Sequence, residues 1–106
     1  MNINTAFASG RLTLYLSGEL DHHAARGAAA EIEELLDEYM PRDCALDMSG
    51  LTFMDSSGIG LIMGRNTMMK VLGGKLYIRD PPPQIARLLH LARIDAHDTT
   101  NAVYVR

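Results

Sequence analysis

Leu51-Thr52-Phe53-Met54-Asp55-Ser56-Ser57-Gly58-Ile59-Gly60 is the stretch on which the fold of this chain turns, because an apolar run there meets two hydroxyls at the head of a helix. Upstream, Pro41 ends a helix and Cys44–Met48 is short and mostly apolar, the pattern of a central parallel strand buried on both faces. Downstream, Gly58–Leu72 carries apolar residues at helical spacing and stops at Gly73-Gly74. Asp55, Ser56 and Ser57 each offer an N-cap side chain to that helix. The first-turn N–H groups of a helix are unpaired and its dipole is positive there, so an anion, including a phosphate on Ser56 or Ser57, is stabilised at this point.

Working outward, Ile3–Phe7 and Leu12–Ser17 flank Ser9-Gly10 and predict two strands joined by a tight turn. Ala24–Tyr39 places Ala25, Ala28, Ile32, Leu35, Leu36 and Tyr39 on one helical face, with Glu31, Glu33, Glu34, Asp37 and Glu38 mostly facing away. Lys75–Arg79 alternates as a strand, and the prolines 81–83 supply a first-turn proline for a helix over Gln84–Ala92, with Ile85, Leu88, Leu89 and Ala92 as its buried stripe. Ala102–Val105 reads as a last strand. The order ββαβαβα(β) predicts an α/β fold, one small domain over residues 1–106, with a mixed, mostly parallel sheet and helices packed on it.

The chain has 106 residues, 47% of them hydrophobic, which suits one core and excludes a large multidomain enzyme. Ten Lys and Arg against thirteen Asp and Glu leave a net charge of −3, which argues against a nucleic-acid partner. Cys44 is the single cysteine, so an internal disulfide is excluded and a reducing compartment, the cytoplasm, is expected. No apolar run approaches the roughly 18 residues of a membrane span, and the N-terminus lacks the pattern of a secretion signal.

Gly58, Gly60 and Gly64 lie inside the second helix, where each glycine costs near 1 kcal/mol relative to alanine. Their presence implies a close approach, either of that helix to the sheet or of a partner to the serines. A nucleotide site is not indicated. Met63 stands where Gly-x-Gly-x-x-Gly needs its third glycine, and Met69 stands where a P-loop ending at Gly74-Lys75 needs its first. The methionines, among them Met54, Met63, Met68 and Met69, are expected as core filler, with any exposed ones available to a docking surface.

Two separated motifs, Gly18-Glu19-Leu20-Asp21-His22-His23 and Phe53-Met54-Asp55-Ser56-Ser57-Gly58-Ile59-Gly60, resemble those of a STAS domain, the family named for sulfate transporters and anti-sigma factor antagonists. Gly64-Arg65 and Gly73-Gly74 stand in the corresponding places, and the resemblance covers Ile3–Ile94. Within the family the chain is most similar to the anti-sigma-F factor antagonists of sporulating bacteria. The resemblance implies that Ser56, directly after the Asp, is the phosphorylated serine and Ser57 its unmodified neighbour. It implies a partner-binding surface of Asp21, Asp55, Ser56, Ser57, Gly58, Ile59 and Gly60. Two partners follow, an anti-sigma factor that is itself a serine kinase and a serine phosphatase of the PP2C type, with no catalytic residue, metal or cofactor in the chain itself. Two departures are visible: where relatives usually show a strand followed by a final helix, this chain offers Thr99-Thr100-Asn101 and then Val103-Tyr104-Val105-Arg106, a shortened or altered C-terminus, and Pro82 replaces a capping serine common in relatives.

Asp21-His22-His23 also invites a metal-dependent phosphoesterase reading, but such a site needs further ligands, and only His90 and His97 remain. A helix start is the simpler role for His22 and His23. A STAS domain can also serve as a scaffold or subunit of a stress-signalling or lipid-transport complex, since function lives in the docking surface.

Overall fold

The computed structural model describes residues 1–94 and 102–104. Strands β1 (Asn2–Ala8) and β2 (Arg11–Leu20) form an antiparallel hairpin closed by Ser9 and Gly10. Both turn residues have positive φ, 53° and 79°, the geometry that matches a two-residue turn to the strand twist and that glycine adopts freely. Then follow α1 (His22–Tyr39), β3 (Asp43–Met54), α2 (Ser56–Val71), β4 (Lys75–Arg79), α3 (Pro83–Leu91) and β5 (Ala102–Tyr104). The sheet order is β1-β2-β3-β4-β5, with β2, β3 and β4 parallel and the two outer strands antiparallel to their neighbours.

This is the mixed, mostly parallel sheet predicted from the alternation of elements. One feature is more specific. Right-handed crossovers between successive neighbouring strands lay α1 and α2 on one face, and α3 joins them there. Leu12, Leu14 and Leu16 of β2, Cys44, Leu46 and Met48 of β3, and Leu76 and Ile78 of β4 meet Ile32, Leu36, Ile62, Met69, Ile85 and Leu89 of the helices in a single core. The opposite face carries ion pairs instead: Arg11 to Asp43 at 2.9 Å and Arg79 to Asp47 at 3.1 Å. Arg11 lies over the Tyr77 ring and Arg79 over Tyr15.

Around the serine loop the boundaries differ from the sequence reading, and β2 runs to Leu20 rather than Ser17. β3 does not stop at Met48 but runs to Met54, because Ser49 and Gly50 are absorbed in a shift of register against β2 rather than ending the strand. Asp47 pins that irregularity by accepting from the Ser49 N–H at 3.0 Å and its hydroxyl at 2.6 Å. α1 begins at His22 and α2 at Ser56, each two residues ahead of its expected start, since an Asp precedes each and caps it. The Gly18–His23 motif therefore spans the end of β2 and the head of α1. α3 starts on Pro83 with no side-chain cap, as expected from the proline triplet, and the Pro82 carbonyl accepts from Ile85 and Ala86. Residues 95–101 and 105–106, with most of the divergent C-terminal segment and His97, lie outside the described residues. Ala102–Tyr104 forms the expected last strand.

Candidate functional site

β2 and β3 end side by side, with Leu20 paired to Met54 and the Asp55 N–H reaching the Leu20 carbonyl. Two parallel strands ending in register launch two helices from the same edge of the sheet, so the N-termini of α1 and α2 open together at the carboxyl ends of the strands, where α/β sheets generally place their sites. Asp21 caps α1, its Oδ1 accepting from the Ala24 N–H at 2.9 Å. Asp55 caps α2, Oδ1 accepting from the Ser57 N–H at 2.9 Å. The second oxygen of Asp55 crosses to the neighbouring helix and accepts from the His22 N–H at 3.1 Å. One carboxylate thus ties two helix heads together. The Ser57 N–H, and with it that of His22, holds the Asp55 carboxyl below its ordinary range.

The two serines are in unlike positions. Ser57 is half-buried, its Oγ 3.3 Å from His22 Nδ1. Ser56 is exposed at the first position of α2, and its side chain has no hydrogen bond among the described residues. A phosphate there meets a free hydroxyl at the positive end of a 16-residue helix, beside the head of a second helix.

The three helix glycines divide. Gly58 is internal: a Cβ at that position collides with Met54 and comes within 3.3 Å of Leu20 Cδ2, so the glycine lets α2 settle onto the strand ends. Gly60 and Gly64 have open space where a Cβ would stand. No contact among the described residues requires them. Ser56, Gly60, Met63 and Thr67 recur at helical spacing on the exposed side of α2, and Ile59 is half-buried against the core. Met63 is 43% exposed and Phe53, just ahead of the cap, 47%. Met54 and Met69 are buried filler, and Met68 packs partly buried against the core.

The structure thus gathers Asp21, Asp55, Ser56 and Ser57 at one edge, with Gly58 beneath the surface, Ile59 partly beneath it and Gly60 upon it. His22 was missed as a member of the cluster. The sequence places it at a helix start, but its contact with Ser57 depends on two elements 35 residues apart. The only available signal was its place beside Asp21 in the first motif. Among the described residues no three His, Cys, Asp or Glu side chains gather in a way that could hold a metal ion, and no helix is long and apolar enough to cross a membrane.

A sheet with one layer of helices, presenting an exposed serine at the head of the second of them, defines a small α/β domain. A family model for the STAS domain matches residues 2–103, and the chain belongs to that family. The anti-sigma F factor antagonist of Paenibacillus polymyxa is 36% identical over 83 residues, 78% of this chain and 71% of that protein. The anti-sigma factor antagonist SpoIIAA in its unphosphorylated form is similar at a TM-score of 0.76 and 26% identity, over 87% of this chain and 81% of that one. The Bacillus cell fate determinant SpoIIAA in the phosphorylated form is similar at 0.69 and 26%, over 86% and 83%.

Proposed function

We propose that this protein is an anti-sigma factor antagonist controlled by phosphorylation of Ser56. The unmodified domain docks its Ser56 edge on an anti-sigma factor that is also a serine kinase, and so releases the sigma factor. The kinase phosphorylates Ser56 and ends the docking; a PP2C-type serine phosphatase restores it. We read residues 1–106 as one STAS unit working in the cytoplasm, without catalysis of its own. The relatives named as antagonists support the role, and SpoIIAA, known in both unphosphorylated and phosphorylated forms, supports the switch. The observation that carries the choice of residue is the exposed, unengaged hydroxyl of Ser56 beside the engaged one of Ser57.

The size of the effect suits a switch. A phosphate adds about −1.5 to −2 charges, on a chain whose net charge is −3. Within the domain, two helix heads favour that anion. At the interface, one like-charge contact at about 5 Å and an effective dielectric near 20 costs roughly 3 kcal/mol before salt screening, about a hundredfold in affinity. Gly60 and Met63 then make the apolar part of the docking surface, with Gly60 giving the partner's backbone access next to Ser56.

The test is titration of the cognate anti-sigma kinase with three forms of the protein. Wild type and Ser56→Ala are expected to bind alike, and Ser56→Asp, still folded by circular dichroism, to bind at least tenfold more weakly. Equal binding by all three contradicts the switch.

A further inference from the structure

We infer that β1 is a self-pairing edge through which two copies of this chain join antiparallel about a two-fold axis at Thr5, extending the sheet across both. The inference is independent of the docking reading above.

The two outer strands of the sheet are built differently. β5 has three residues and lies beside a strand bearing Lys75 and Arg79. A short outer strand is a common device against unwanted pairing, as is a charge or a proline on the outer strand itself. Although the strand beside it carries Arg11 opposite Ala8, β1 uses none of these. Its seven residues, Asn-Ile-Asn-Thr-Ala-Phe-Ala, include no charge and no proline, six of the seven are exposed, and the pairing with β2 runs from Asn2 to Ala8 without a bulge. Alternate residues of an outer strand turn their N–H and C=O away from the sheet, and among the described residues no strand lies beyond β1 to receive them.

The sequence of β1 also complements itself. Two-fold antiparallel pairing opposes residues whose numbers share a constant even sum, and the sum that pairs all seven is ten. Thr5 then faces Thr5 of the second copy, Ile3 faces its Phe7, Asn4 its Ala6 and Asn2 its Ala8. Ile3, Thr5 and Phe7 lie opposite the buried Leu16, Leu14 and Leu12 and so share the helix-covered face. The pairing therefore makes two aromatic–β-branched pairs and one threonine pair on that face, all favourable across strands, and opposes no like charges.

A groove receives the aromatic. Phe7 is 46% exposed although its ring lies 5.1 Å from that of Tyr39. At the Ile3 end of β1, a shallow groove is lined by Met1 and by His23, Ala24, Gly27 and Glu31 of α1. Pairing opposite Ile3 brings Phe7 of the second copy to this groove. Gly27 has nothing within 4 Å of a Cβ position, so no contact among the described residues explains a glycine in mid-helix. Clearance for an incoming ring does.

Sedimentation equilibrium of the full chain over micromolar to millimolar concentration tests the inference. Wild type is expected to reach twice the mass of the chain, and Thr5→Lys, which opposes two lysines at the axis, to stay at the mass of one. A cross-linking arm is independent of that variant's folding. Thr5→Cys is expected to form a disulfide-linked dimer under mild oxidation, since directly opposed Cα atoms are about 4.5–5.5 Å apart. Ala6→Cys is offset from its mate by two residues and is expected not to link. Monomeric wild type throughout, a folded Thr5→Lys that still dimerises, or linkage at residue 6 in preference to residue 5 would overturn it.

Discussion

Asp55 does two jobs with two oxygens, capping α2 through Ser57 and holding the head of α1 through His22. Both bonds require the ionised carboxylate, which is why its protonation is shifted down. A carboxyl with a lowered folded-state pKa contributes stability that is complete above the unfolded value, about 3.9, and is lost as pH falls through the folded value. Asp55→Asn is therefore expected to melt below wild type at pH 7, with the gap closing as pH drops below about 4. Thermal melts at pH 7, 5, 4 and 3 check this; a gap of constant size means that the charge of Asp55 is not what holds the helix heads. Asp47 titrates in the same direction: burial pushes its carboxyl up, but the bonds from Ser49 and Arg79 outweigh it.

At the scale of the element, α2 separates a glycine that packing requires, Gly58, from one in open space, Gly60, which the proposed function places at the docking surface. Gly58→Ala forces Met54 and Leu20 to move at the strand ends and is expected to cost about 1–3 kcal/mol as overpacking. Gly60→Ala meets open space and is expected to stabilise the helix by up to about 1 kcal/mol, while weakening binding to the anti-sigma kinase. Urea unfolding and titration of each variant check both halves; a Gly60→Ala protein that binds as wild type does removes the glycine from the docking surface.

The same helix shows what the sequence could convey. Local signals were strong where one residue type has one physical use: Ser9-Gly10 for the turn, Asp55 for the cap, and prolines 81–83 for the start of α3. They failed where a residue type has two uses. Ser49-Gly50 ends a strand or makes a bulge, and only the register against β2 decides between them. Likewise Gly58 and Gly60 are alike in sequence and differ only in what lies above them. Ser56 and Ser57 could be told apart only by resemblance until the half-buried position of Ser57 and its contact with His22 distinguished them.

At the scale of the molecule, helices cover one face of the sheet and ion pairs the other, so the hydrophobic centre is a single layer. Cys44 sits in it on β3, and burial pushes its thiol up to about 12. A thiolate is the reactive form. The native protein is therefore expected to resist a thiol reagent at pH 8 and to react at a rate that tracks global unfolding in urea; fast reaction of the folded protein contradicts a sealed core. Burial also keeps Cys44 out of the cross-linking of surface cysteines.

In the proposed function Ser56 meets a partner at the edge of the sheet where two helices begin. The measurement that tests this most directly is incubation of the protein with the proposed anti-sigma kinase and ATP, followed by mass-spectrometric mapping of added phosphate. One phosphate on Ser56, absent from Ser56→Ala and present in Ser57→Ala, is the expected result. Phosphate on Ser57, or none on either serine, contradicts it.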